Sequence, residues 1–287
     1  MVKLLVINPG ATSTKFGVFD EERCIFKKAI SHSEQDLSRF ATVFDQYPYR
    51  LKLIEDELQR QQILLEDFCA VVARGGLLKP IQGGTYIVNH KMLQDLKNAV
   101  RGELASNLGA VMAYNIASRQ GIPAFIVDPV SVDEMLPVAR ISGFSELERV
   151  SLFHALNHKA VARKAAAQLG KVYEKANFIV AHLGTGISVA AHRKGRVIDV
   201  NDCKDEGAFS LDRCGSLPAY QLVRLCYSGK YTFEQLKQKI MTDGGMYSYL
   251  GTRDIREVEK MAVEGNEKAK LLIEALTYQV AKDTGSQ

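Results

Sequence analysis

The sequence predicts an α/β protein built from two duplicated halves. Three observations carry that expectation. An apolar run, a polar residue two before a glycine, a Gly/Ser/Thr turn and a second apolar run occur twice, at residues 4–20 and 178–191. Short apolar runs alternate with amphipathic segments after the first of these, as in a domain that layers helices on a sheet. The length, 287 residues, is too great for one ordinary core and suits two. Residues 1–149 are expected to form the first domain and 150–287 the second.

The first half reads in order as follows. Residues 2–7 and 16–20 form a hairpin, with a third strand at 24–30. Residues 35–61 are polar and periodic and read as helices broken near Pro48. Ala70 to Ala73 is a short buried strand ending in Arg74-Gly75-Gly76, and a glycine-rich loop follows to Gly84. Residues 92–100 and 107–119 read as helices, the second from its Leu108, Met112 and Ile116 spacing. Gly121-Ile122-Pro123 stops that helix, and Ala124 to Val127 is another buried strand closed by Asp128-Pro129.

The second half opens with a long helix over 148–169. Residues 178–181, 188–192 and 196–200 form a three-stranded meander, and only helices follow: 217–228 with Pro218 in its first turn, 233–241, 255–263 and 267–282. A duplicate of the first half would carry further strands after its meander. The second domain is therefore expected to lack its last strands, and the chain to be a truncated form.

Composition narrows the function. The net charge of +4 is small and interspersed, which gives no case for nucleic acid and suits an anionic small substrate. Five cysteines without CxxC spacing read as reduced thiols of a cytoplasmic protein. The sequence starts directly on a strand, without a signal peptide. No apolar run approaches the roughly 20 residues that cross a bilayer, so no membrane partner is expected.

Turns rich in exposed N–H groups are natural anion sites, and two of them suggest a duplicated domain clamping a phosphorylated ligand. Polar residues at strand ends are the candidates, because ligands gather at the carboxyl edge of such sheets. They are Asn8, Arg74, Asp128, His182 and Arg213. Each has a blander alternative: a turn residue for Asn8 and Asp128, a surface charge for Arg74, a structural histidine for His182. Arg213 has no local case of its own, and Lys15 reads equally as a solvated hairpin charge. His154 and His158 lie one helical turn apart, but no third ligand accompanies them and a zinc site is not expected. Neither GxxxxGK[ST] nor a GxGxxG after a strand is present, which disfavours P-loop and dinucleotide enzymes.

Taken together, Asn8-Pro9-Gly10 with Ser13 and Lys15, Ala73-Arg74-Gly75-Gly76, and His182-Leu183-Gly184-Thr185-Gly186-Ile187-Ser188 resemble the acetokinase family. Val72 to Leu78, Gly83-Gly84-Thr85-Tyr86 and Ile126 to Val130 with Asp133-Glu134 resemble its butyrate-using branch. That family belongs to the actin-like, sugar-kinase and Hsp70 ATPase superfamily. The resemblance implies two actin-like (ribonuclease H-like) domains with a ligand cleft between them. It implies reversible phosphoryl transfer between ATP and a short-chain carboxylate such as butyrate, giving an acyl phosphate, with Mg²⁺ and a homo-oligomeric assembly.

By position, the resemblance makes Arg74, Asp128, His182 and Arg213 catalytic and places Asn8 near the magnesium. Gly10, Ser13, Lys15, His154, Gly184, Thr185 and Gly186 would face the phosphates, with Asp254 and Arg256 beside the nucleotide. Two further readings stay open: a catalytically impaired remnant of such a kinase, and an actin-like ATPase that transfers to no carboxylate.

Overall fold

A computed structural model describes residues 2–287, which divide into two compact units, one ending at Asp133 and the other running from Glu134 to Gln287. The division falls ahead of the boundary at 149 that the sequence suggested.

In the first unit, β1 (Lys3–Pro9), β2 (Ser13–Asp20) and β3 (Arg23–Ser31) form an antiparallel meander. Helices α1 (Glu34–Leu37) and α2 (Tyr47–Arg60) follow. Pro48 does not break the second of these. It lies in the first turn, where its missing N–H would have had no intrahelical partner. Next come β4 (Ala70–Arg74) and β5 (Thr85–Ile87), then α3 (His90–Lys97) and α4 (Asn107–Gln120), and finally β6 (Ala124–Val127). The sheet order is β3-β2-β1-β4-β6-β5. Strand β5 was not legible: it is a three-residue antiparallel edge strand that follows directly on the glycine-rich loop.

Strands β1, β4 and β6 lie side by side within the sheet and run parallel. Ile7 lies opposite Ala73, and Ala73 opposite Ile126. Parallel strands covered by helices read as continuous apolar runs, as these do. Helix α4 packs on β1, β4 and β6, and its Leu108, Met112 and Ile116 are wholly buried, as their spacing predicts. The helix approaches the strand ends closely because Gly109 carries no side chain. A Cβ there would run into the carbonyl oxygen of Arg74, and one at Gly75 would run into Pro129.

The second unit begins with α5 (Pro137–Arg140) and α6 (Ala155–Gln168). The long helix expected over 148–169 is thus shorter and begins only at Ala155. Residues 149–153 are instead held by tertiary bonds. The guanidinium of Arg149 donates to Glu206, Asp199 and the carbonyls of Ala139 and Val200, and the carbonyl of Leu152 accepts from Cys203 N. Strands β7 (Asn177–His182), β8 (Ser188–Arg193) and β9 (Arg196–Val200) form an antiparallel sheet, the only one in this unit among the described residues. Helices α7 (Ala219–Cys226), α8 (Phe233–Met241), α9 (Tyr247–Leu250), α10 (Ile255–Val263) and α11 (Glu267–Ser286) complete it. Ala162, Ala166, Tyr173 and Val180 form one small core, and Met246, Val258, Ala269 and Leu272 another. No helix among the described residues is long and apolar enough to cross a membrane.

The close approach of α4 gives a direct expectation. Gly109→Ala should cost about 1–3 kcal/mol, the usual penalty of overpacking. Gly143→Ala, with open space around its Cβ, should stay within about 0.5 kcal/mol. Urea unfolding of the two variants checks both.

Candidate functional site

In the first unit the shared register sets three candidates on neighbouring strand ends. Asn8 follows Ile7 on β1, Arg74 follows Ala73 on β4, and Asp128 follows Val127 on β6. Asp128 is buried and holds φ at +37°, a conformation that aspartate tolerates better than most residues. Its backbone N–H donates to the carbonyl of Gly84, and its Oδ1 accepts from Gly84 N at 2.7 Å. The glycine-rich loop is thereby tied to the end of β6.

The β1–β2 turn lies beside this edge, with Asn8 paired across the hairpin to Lys15 and both side chains exposed. Every carbonyl from Gly10 to Ser13 is engaged. Gly10 O and Ala11 O accept from Arg50, Thr12 O accepts from His32 N, and Ser13 O accepts from Gly10 N at 2.7 Å. With these carbonyls committed, Ala11 and Thr12 stand exposed at the tip of the turn.

In the second unit the candidates converge around the β7–β8 turn. The His154 and His182 rings stack at 3.7 Å between centroids. Asn157 Nδ2 lies 2.9 Å from His182 Nδ1. A Cβ on Gly186 would lie 2.8 Å from Arg213 Nη1 and 3.4 Å from His154 Cε1, and one on Gly184 would lie 3.1 Å from His182 Nε2. Both glycines are thus needed for the turn to pass this close to three cationic or imidazole side chains. Arg213 Nη1 donates to Cys203 O at 2.9 Å, and Ser210 Oγ donates to Thr185 O, which ties the 210–213 loop to the turn.

Behind the stack lies a buried polar chain. Ser188 Oγ sits 3.0 Å from His154 Nδ1 and 2.9 Å from His158 Nε2, so the two histidines one turn apart share a hydroxyl. His158 Nδ1 faces His192 Nε2 at 3.5 Å, and His192 Nδ1 meets Tyr173 Oη at 2.7 Å. Burial pushes His158 down to about 3, helped by the charges of His192, His154 and His182. Burial likewise pushes His192 down to about 4, helped by Lys159. Asp254 and Arg256 stand apart in role: Asp254 caps α10 by accepting from Arg256 N at 2.9 Å and pairs with the exposed Arg256 guanidinium.

Sequence reasoning missed four groups. Arg50 lies on the buried stripe of α2 with Leu51, Ile54 and Leu58, and a charge on an apolar stripe was a legible signal. Ser188 stood inside a strand pattern, and Asn157 on a helix with no distinguishing mark. Asp202 is a buried carboxyl beyond β9 that burial pushes up to about 6, and it had no local signal at all.

Residues 147–287 match the family described as the Acetokinase family. The chain is 52% identical over 286 residues to Butyrate kinase 1 of Clostridium acetobutylicum, spanning 99% of this chain and 81% of that protein. The crystal structure of Porphyromonas gingivalis acetate kinase matches with a TM-score of 0.80 at 19% identity, over 100% of this chain and 79% of that one. A propionate kinase from Francisella tularensis matches at 0.79 and 21% identity, over 100% and 80%. At those identities the structural likeness establishes the fold: the actin-like α/β fold of these kinases.

The buried imidazoles predict a pH dependence. The unfolded chain takes up protons near the ordinary histidine value of 6.5, whereas folded His158 and His192 resist until about 3 and 4. Their contribution to stability is therefore complete above about pH 6.5 and is lost as pH falls toward 4, at roughly 1.4 kcal/mol per pH unit for each. Urea unfolding at stepped pH should show this slope, and His192→Gln should reduce it by about one proton.

Proposed function

We propose that this chain, which belongs to the acetokinase family, transfers the γ-phosphoryl group of ATP reversibly to butyrate, forming butyryl phosphate and ADP. The reading is carried by the 52% identity to a butyrate kinase along nearly the whole chain. The geometry supports the roles given below.

A carboxylic acid of pKa about 4–5 is ionised at neutral pH, so the nucleophile needs no general base. What the reaction lacks is charge compensation, because carboxylate and γ-phosphate are both anions. Arginine forks match the planar carboxylate and the phosphoryl oxygens. In this reading Arg74, at the end of β4, holds the carboxylate, and Arg213 holds the phosphoryl oxygens. Asn157 donates its amide proton to His182 Nδ1, which leaves the other proton on Nε2, beside Gly184. His182 then donates to an equatorial oxygen as charge spreads there in the transition state.

The buried chain acts on His154 in the same way. Donation from Tyr173 to His192, on to His158, Ser188 and His154 Nδ1 leaves the His154 proton on Nε2 for a phosphate oxygen. Asp128, turned onto Gly84 N, positions the loop rather than adding another negative charge at the phosphoryl group. Gly10, Ser13 and Lys15 on one hairpin, and Gly184, Thr185 and Gly186 on the other, contact phosphates, with Asp254 and Arg256 beside the nucleotide.

Among the described residues no cluster of three acidic, histidine or cysteine side chains could hold a metal by itself. In this reading Mg²⁺ keeps most of its waters and is carried in on the phosphates. The side-chain oxygen of Asn8, exposed at the end of β1, is the residue that would meet it. Bound there, the ion would neutralise phosphate charge.

Hydroxylamine trapping of the acyl phosphate made from MgATP tests the reading. Butyrate should give product faster than acetate, and Arg74→Ala should lower kcat/KM by about 10²–10³-fold, as for loss of one transition-state donor. A preference for acetate would overturn the choice of substrate. Full activity in the Arg74→Ala variant would overturn the role of that arginine.

A further inference from the structure

The guanidinium of Arg50 is enclosed beneath the β1–β2 turn, with 1% of the residue exposed. Its bonds all go to neutral oxygens. Nη1 donates to Gly10 O at 2.8 Å, Thr14 Oγ1 at 3.2 Å and Ser13 O at 3.4 Å. Nη2 donates to Ala11 O at 3.1 Å and Gln46 Oε1 at 2.8 Å, and Nε to the same Gln46 oxygen at 3.2 Å.

A buried cation is ordinarily matched by a carboxylate. The other buried cation, Lys159, has one in Glu134 at 2.9 Å. The ion pairs of the described residues include none for Arg50. His32 shares Thr14 Oγ1 with Arg50, bonded to it at 2.8 Å. Burial and the Arg50 charge push His32 down to about 4, so at neutral pH it is uncharged and adds no second positive charge. The positive charge therefore stands directly beneath the exposed tip of the turn, without a counter-ion among the described residues.

We propose that Arg50 is a positioning residue whose missing counter-charge is the nucleotide phosphate bound on the outer side of this turn. The inference rests on the reading above that the turn holds a phosphate. Arg50 never touches the phosphate. It fixes the carbonyls inward through its fork and lends the turn a charge that water cannot screen. Gln46, with both Nε and Nη2 of Arg50 on its Oε1, sets whether that charge is available.

Gln46→Glu is the test, since it supplies a carboxylate counter-ion in nearly the same shape. Three quantities decide: the unfolding temperature without nucleotide, KM for MgATP and KM for butyrate. The expected result is an unfolding temperature equal to or above that of the parent and a KM for MgATP raised about tenfold. KM for butyrate should be unchanged within about twofold. A purely structural Arg50 predicts the stability result with no change in KM for MgATP, and that outcome overturns the inference.

Should Gln46→Glu fail to fold, Arg50→Lys asks the same question. Arg50→Lys and Arg50→Met both lose the fork and only lysine keeps the charge, so KM for MgATP should be about tenfold lower in Arg50→Lys than in Arg50→Met, and equal values would overturn the inference. Ser13→Ala and Lys15→Ala separate the two levels. If they raise KM for MgATP while Gln46→Glu does not, only the role of Arg50 fails. If none of the three does, the turn is not the phosphate site.

Discussion

The parallel register of β1, β4 and β6 is the constraint on which the first unit depends. It sets Ile7, Ala73 and Ile126 in one row, so that Asn8 and Arg74 stand in the next row and Asp128 one residue beyond it. A slip of one residue would turn each side chain to the other face. The register is held by apolar burial of the face that carries Leu5, Ile7, Val71, Ala73 and Ile126 and by the closeness of α4, which Gly109 makes possible. The residues that line the chemistry and the residues that fix the packing are thus neighbours in sequence, and neither set is free to vary alone.

A second theme joins the two units, each considered by itself. Positive and neutral donors are placed by partners that carry no negative charge. Arg50 is held by carbonyls and an amide oxygen, and Arg213 Nη1 by the carbonyl of Cys203. His158 and His192 are kept neutral by burial. Carboxylates near the candidates are turned onto backbone N–H groups, as Asp128 is onto Gly84 and Asp202 onto Lys204. Carboxylates committed in this way add little repulsion beside a site for two anionic reactants.

Much of this was legible in the sequence where a period or a turn carried the signal. The two hairpins, β4, α4 and β6 stand where apolar runs and glycine turns put them, and α8 and α10 match their periodic segments residue for residue. What escaped was set by tertiary bonds. Residues 149–153 have helical composition, yet Arg149 gains more partners as a clamp than a helix would give it. Strand β5 exists only because β6 offers an edge. The buried chain from Tyr173 to His154 joins residues up to 34 apart in sequence, and no local pattern encodes that convergence. The candidate residues at strand ends were visible as residue types; the partners that fix their protons and orientation were not.

The most direct measurement is ADP release from MgATP by the purified chain with and without butyrate, with acyl phosphate counted in parallel. A kinase built on charge compensation predicts that ADP release requires the carboxylate and matches acyl phosphate one for one. ADP release at the same rate without butyrate would contradict it and mark the chain as a hydrolase on the same fold.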